Sequence, residues 1–174
     1  MIATDLHAFI RDVPDFPKPG ITFKDITPML RSPEAMDAAC SELAAPYIGQ
    51  NISLVAGIES RGFIFGAVVA RILGAGFVPV RKPGKLPWAT RRQDYDLEYG
   101  SDAVEMHVDA VGPSDRVLLI DDVLATGGTL NAAAQLIRGF NATLVAAATV
   151  IELEFLHGRQ RIVPAVTIHT LLRY

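Results

Sequence analysis

The chain has 174 residues, 50% hydrophobic and 20% charged, with a formal net charge of −3 at pH 7. A chain of that size buries about two-thirds of its unfolded surface, enough for one soluble globular domain, and the single Cys40 excludes an intrachain disulfide. The acidic balance argues against a general nucleic-acid binder, and the most apolar stretch, residues 142–151, is too short to span a bilayer.

In chain order, the first twelve residues carry Asp5, His7, Arg11 and Asp12 without an apolar secretory segment, so the expected location is the cytoplasm. Thr4 caps a predicted amphipathic helix with Leu6, Phe9, Ile10 and Val13 on one face. The prolines from Pro14 to Pro28 predict one ordered loop. Ser32 followed by Pro33 opens a helix whose buried face is Met36, Cys40, Leu43 and Tyr47. The pattern then alternates: a strand over 52–58, a turn at 59–62, an apolar helix over 63–73 and a strand over 76–81. After an irregular stretch, 95–99 and 103–108 alternate like an antiparallel hairpin. A third buried strand (116–120), a loop (121–129), a helix (130–139), a strand (143–151) and an edge strand (163–171) complete the chain. Continuous apolar strands that alternate with helices imply an α/β doubly wound, mainly parallel sheet with helices on both faces. A ligand is expected at the carboxyl ends of its strands.

The most informative segment is RVLLIDDVLATGGT, Arg116 to Thr129. A buried strand ends in two adjacent carboxylates, Asp121 and Asp122, and a loop of small residues opens a helix. The backbone N–H groups of Ala125, Thr126, Gly127, Gly128 and Thr129 can converge on an anion at that helix N-terminus. Gly127 and Gly128 permit positive φ and leave no Cβ between the amides and the ligand. The two acids would repel a bare phosphate and suit ribose hydroxyls or the hydration shell of a divalent cation. A ribose 5-phosphate satisfies both halves. A helix cap with two solvated aspartates accounts for the acids or the glycines alone, not for strand, acids and nest in unbroken sequence.

This segment resembles the signature of the type I phosphoribosyltransferases, which bind 5-phosphoribosyl 1-pyrophosphate (PRPP). Beyond the signature, FPKPGITFKDITP (16–28), GIESRGFIFG (57–66), VRKPGKLP (80–87), YDLEYG (95–100) and GRQRI (158–162) are similar, in order, to the adenine-using members. The resemblance covers nearly the whole chain. It implies a single domain over 1–174, with a small hood and base loop at 1–30 and a flexible catalytic loop at 82–100. It also implies transfer of the 5-phosphoribosyl group from PRPP to adenine, giving AMP and pyrophosphate. Asp121, Asp122 and residues 125–129 would then hold the ribose and its phosphate.

The remaining sites are weighed the same way. Arg81, Lys82, Lys85, Arg91 and Arg92 crowd twelve positions with no acid among them, an exposed basic loop or a lid for a polyanion. The turn Glu59-Ser60-Arg61-Gly62 precedes a helix start, either a plain N-cap or an anion site. By resemblance, Ser60, Arg61 and Lys85 bind pyrophosphate, while Arg81 and Lys82 serve their own site or that of a partner subunit in a homodimer. Glu98 matches the family's proton shuttle, a role that at neutral pH needs burial on loop closure. Main-chain groups near Thr22 and Lys24 would read the base edge, with Phe23 against the ring; many members carry Arg in place of Lys24. Mg²⁺ is implied as cofactor, bound mostly through substrate, with Asp121 and Asp122 acting through water. A phosphoribosyltransferase for another base and a non-catalytic PRPP-binding regulator are the alternatives. Neither the Walker A pattern nor GxGxxG occurs, and His7, His107, His157 and His169 lack zinc-ligand spacing. The triplets at Asn51 and Asn141 read as chance glycosylation motifs.

Overall fold

In the computed structural model, which describes residues 4–96 and 100–174, the chain divides into two compact units, Met1–Glu42 and Leu43–Tyr174. In the first, Asp5 rather than Thr4 is the cap: its carboxylate accepts the His7 N–H at 3.1 Å over a single 3₁₀ turn, Leu6–Phe9. The predicted amphipathic helix stops there. The backbone turns extended at Ile10, and β1 (Arg11–Val13) pairs antiparallel with β2 (Phe23–Asp25). Opposite charges face each other across this ribbon, Arg11 with Asp25 at 2.9 Å and Lys24 with Asp12 at 2.7 Å. The proline-rich stretch is therefore not one irregular loop. It is the connection of a hairpin, closed by the Gly20 N–H on the Asp15 carboxylate at 2.8 Å and the Phe16 N–H on the Ile21 carbonyl at 3.1 Å. A short helix α1 (Thr27–Arg31) follows, then α2 (Pro33–Ala44), whose start is capped as expected by the Ser32 hydroxyl on the Ala35 N–H. Ala35, Ala39, Cys40 and Leu43 are fully buried, whereas Met36 is only partly so and Tyr47 lies past the helix in a 3₁₀ turn.

The second unit is built on five parallel strands in the order β4-β3-β7-β8-β9. These are β3 (Leu54–Ile58), β4 (Gly76–Val80), β7 (Arg116–Leu124), β8 (Thr143–Glu152) and β9 (Ile168–Arg173). Helix α3 (Gly62–Leu73) links β3 to β4 and α4 (Gly128–Gly139) links β7 to β8. Side chains alternate along β7: Val117 and Leu119 join a cluster with Leu130, Ala134 and Ile137 of α4, leaving Leu118 and Ile120 for the opposite face, where α3 lies. Each of these four strand residues is fully buried, and burial of one such side chain contributes about 1.5–3 kcal/mol. The hairpin of β5 (Thr90–Asp96) and β6 (Ser101–His107) packs on the α4 side, contributing Val104 and Met106 to the same cluster. The first hairpin strand begins five residues earlier than its apolar pattern suggests, because Thr90 and Arg91 pair with His107 and Met106 despite their polarity. The last strand begins later than expected. The stretch before it forms 3₁₀ turns at Glu154–Leu156 and Gly158–Arg161. Among the described residues, no helix is long and apolar enough to cross a membrane.

Candidate active site

The paired acids belong to the strand and not to the loop. β7 runs on through Asp121 and Asp122 to Leu124, held in the ladder by β8, with Asp121 opposite Thr149 and Leu124 opposite Glu152. As neighbours in a strand they point to opposite faces. Asp121 lines a cavity of about 150 Å³ together with Val123 and residues 124–130. The Asp122 carboxylate is buried and meets the Arg61 guanidinium at 2.8 Å. Burial pushes both carboxyls above the usual aspartate range; the Asp122 charge pushes Asp121 further, while Arg61 pulls both back. A pair of solvated aspartates is thus excluded for Asp122. Arg61 reaches it because α3 starts against the end of β7: a Cβ on Gly62 would meet the Ile120 carbonyl oxygen at 2.8 Å.

The loop after β7 ends at Gly127, which caps α4 with φ +84, a left-handed conformation natural to glycine. Gly128 has no positive φ. The free N–H groups of the first α4 turn adjoin the cavity lined by Ala125, Thr126, Gly127, Gly128 and Thr129, and a space of that size holds about five water volumes. The surroundings of the two glycines add a constraint that spacing along the chain does not disclose, strict at Gly127 and milder at Gly128. A Cβ on Gly127 would collide with the Gly158 carbonyl, and one on Gly128 would come within 3.2 Å of the Tyr95 ring. The Cβ positions face protein, so the expectation that they face the anion is corrected. The Tyr95 hydroxyl lies 3.0 Å from the Thr129 hydroxyl, tying the hairpin to the first turn of α4.

The turn 59–62 lies between β3 and α3 as expected, with a cis peptide between Glu59 and Ser60 and with Arg61 at the N-cap position. The basic stretch is less free than its composition suggests. Arg81 pairs with Glu59 at 3.0 Å, Lys82 pairs with Asp102 and donates to the Tyr95 hydroxyl at 2.7 Å, Arg92 pairs with Asp94 at 2.6 Å, and Arg91 donates to the Gly139 carbonyl. Of the five cations, only Lys85 has a side chain with no hydrogen bond or ion pair among the described residues. The Glu59 carboxylate also accepts the Lys82 N–H at 3.0 Å and Glu105, itself buried, accepts the Gly84 N–H at 3.1 Å. Glu59, Tyr95, Asp102 and Glu105 thus hold the basic turn in place. None of the four was assigned from sequence, although Glu59 and Tyr95 stand in the two motifs that carried Arg61 and Glu98. Glu98 itself, with Leu97 and Tyr99, lies outside the described residues.

In the first unit, Thr22 is exposed at the entry to β2, and Phe23 packs edge-on against Phe16 with ring centres 5.3 Å apart. The Lys24 ammonium is engaged by Asp12. Among the described residues, no three His, Cys, Asp or Glu side chains cluster as a metal cage. The donor set near the cavity, one inward carboxylate beside a second already paired, fits a Mg²⁺ ion held mainly by ligand oxygens and water.

Residues 29–164 match the family model of the phosphoribosyl transferase domain. The adenine phosphoribosyltransferase of Nitrosococcus oceani is 54% identical over 169 residues, 97% of this chain and 98% of that one. That of Thermobifida fusca is 55% identical over 161 residues, 92% of each. Among solved structures, adenine phosphoribosyltransferase from Rhodothermus marinus superposes with a TM-score of 0.92 at 53% identity, covering 97% of this chain and 96% of the other. The enzyme from Giardia lamblia, solved with 9-deazaadenine, gives 0.91 at 42% identity over 100% of this chain and 98% of its own. With the strand, the acids and the capped loop placed as described, the chain belongs to the adenine phosphoribosyltransferases of the type I phosphoribosyltransferase family.

Proposed function

We propose that the chain transfers the 5-phosphoribosyl group of PRPP to adenine, giving AMP and pyrophosphate, as in purine salvage. The observation that carries this reading is the cavity at the end of β7, where one carboxylate, Asp121, borders the free N–H groups of the α4 N-terminus. A phosphorylated sugar needs both: hydrogen-bond acceptors for its hydroxyls and converging donors for its phosphate. Residues 125–129 hold the 5-phosphate, and Asp121 and Asp122 serve the ribose side, Asp122 by orienting Arg61.

In the reaction, adenine N9 forms a bond to ribose C1 while the C1–oxygen bond to pyrophosphate breaks, and the N9 proton passes to Glu98. Charge develops on the ribose ring and on the leaving group, so the protein's work is positioning and electrostatic. Ser60 in the turn before α3, Arg61 and Lys85 receive the pyrophosphate, with Arg81 and Lys82 held beside them by Glu59 and Asp102. Asp121 would hold a Mg²⁺ ion through water, beside Asp122 already paired with Arg61, and the ion would supply neutralisation of the pyrophosphate charge. Main-chain groups at Thr22 and Lys24 read the base edge and Phe23 packs on its ring. The Lys24 side chain is spent on Asp12, which supports a main-chain reading in which Lys in place of Arg changes little. We place the enzyme in the cytoplasm as a homodimer, acting on small molecules without nucleic acid or membrane.

The test is product formation from Mg-PRPP and adenine. AMP and pyrophosphate in equal amounts are expected; PRPP binding with no turnover on any base would leave a PRPP-binding regulator instead.

A further inference from the structure

The turn Gly158–Arg161 follows β8 and is used by none of the roles above. Its guanidinium is unusually committed. Arg159 donates from Nε and one terminal nitrogen to the two Glu152 oxygens at 2.5 and 2.6 Å, and it also donates to the Ile168 carbonyl at 2.8 Å and the Thr170 hydroxyl at 3.0 Å. Glu152 is 4% exposed at the last position of β8. A two-pronged contact of this kind fixes direction as well as distance. The turn is held at its far end too: the Asn131 side chain in α4 accepts the Val163 N–H at 3.0 Å, while the Asn131 N–H donates to the Gly127 carbonyl at 2.9 Å.

Pinned in this way, Gly158 lies directly behind the loop that follows β7. A Cβ on Gly158 would overlap the Ala125 carbonyl oxygen and stand 3.1 Å from the Gly127 nitrogen, and a Cβ on Gly127 would overlap the Gly158 carbonyl. Two backbones without side chains are in contact, so the loop cannot retreat and neither residue can grow. We infer that Gly158 and Arg159 are positioning residues for the 5-phosphate. They touch no substrate; through the Glu152 pair they set the height of the 125–128 backbone, and so the aim of its N–H groups. Donors misaligned by a shifted loop lose strength steeply with angle. The inference rests on the proposed assignment of the ribose phosphate to this loop.

The experiment compares wild type, Gly158→Ala and Arg159→Lys by calorimetry with ribose 5-phosphate and, separately, with magnesium pyrophosphate, alongside steady-state kinetics. Gly158→Ala should weaken ribose 5-phosphate at least ten-fold and raise KM for PRPP, with pyrophosphate affinity and KM for adenine within two-fold of wild type. Arg159→Lys keeps the charge without the fork and should show a smaller loss in the same direction, which also answers the question should Gly158→Ala not fold. Folded variants that bind ribose 5-phosphate like wild type would overturn the inference while leaving the phosphate loop in place. Loss of both ligands in equal proportion, in step with a falling Tm, would reduce the turn to general support and overturn it also. A wild-type protein that ignores ribose 5-phosphate would remove the assignment on which the inference stands, and the inference with it.

Discussion

Asp122 is buried, charged and answered by Arg61, whose own side chain is 32% exposed. Removing the charge therefore releases Arg61 from the contact that fixes its guanidinium. Asp122→Asn should lower kcat/KM by about a hundred-fold or more. Burial outweighs Arg61 and holds the Asp122 carboxyl above its ordinary range, so its charge is no net gain for the fold, and the Tm of Asp122→Asn at pH 7 should equal or exceed that of wild type. A lower Tm would mean that the pair stabilises the fold, and normal turnover would reduce it to scaffolding. The two acids were legible in the sequence as a unit, because apolar strand, acids and glycine loop follow one another without a break. Their division of labour was not. It depends on Arg61 arriving from α3 and on β8 extending the ladder, and both partners are distant along the chain.

At the scale of elements, the hairpin of β5 and β6 couples the basic turn to the phosphate loop through one hydroxyl: Tyr95 accepts from Lys82 and meets Thr129. Tyr95→Phe keeps the ring against Gly128 and deletes the hydroxyl's contacts with Lys82, Asp102 and Thr129. The contact with Thr129 is the one that reaches the first turn of α4, and its loss, about 1 kcal/mol, predicts a roughly five-fold rise in KM for PRPP, read by steady-state kinetics. An unchanged KM would detach the hairpin from phosphate binding. The end of β8 carries a pH dependence of its own. Burial alone would raise the Glu152 carboxyl, but the Arg159 hydrogen bonds and charge hold it below its ordinary value. A depressed folded-state pKa contributes stability that is fully present above the ordinary glutamate range, near 4.3, and is lost as pH falls through the folded value. Melting curves from pH 7 down to about pH 3 should therefore show a decline in Tm that is shallower in Glu152→Gln than in wild type; parallel declines would contradict the pairing. Elements made of apolar runs, β3, α3, β4 and β8, were readable because burial of their core-facing side chains writes itself into composition. The β1–β2 hairpin was hidden because its pairing rests on alternating charges and on a proline-rich connection that looks irregular one residue at a time. The ion partners of Arg81 and Lys82 were hidden for the same reason, since Glu59 and Asp102 come from outside the basic stretch.

For the whole molecule, the proposed reaction makes two demands: β7 of the parallel sheet ends in an acid beside the free N–H groups of α4, and the N-terminal unit carries the segment proposed to read the base. Light scattering should report a dimer at assay concentration; an active monomer would contradict the assembly proposed above. The central claim, however, is the choice of base. Adenine presents an amine donor beside the N1 acceptor, whereas hypoxanthine presents a carbonyl acceptor beside an N–H donor. A main-chain carbonyl and N–H placed for the first edge would meet the second with two like-to-like contacts, leaving buried groups unpaired. Sites that read an edge in this way discriminate by roughly 10⁴-fold. The most direct measurement is the ratio of kcat/KM for adenine over hypoxanthine at saturating Mg-PRPP. A ratio near that magnitude is predicted, and comparable values for the two bases would contradict the account.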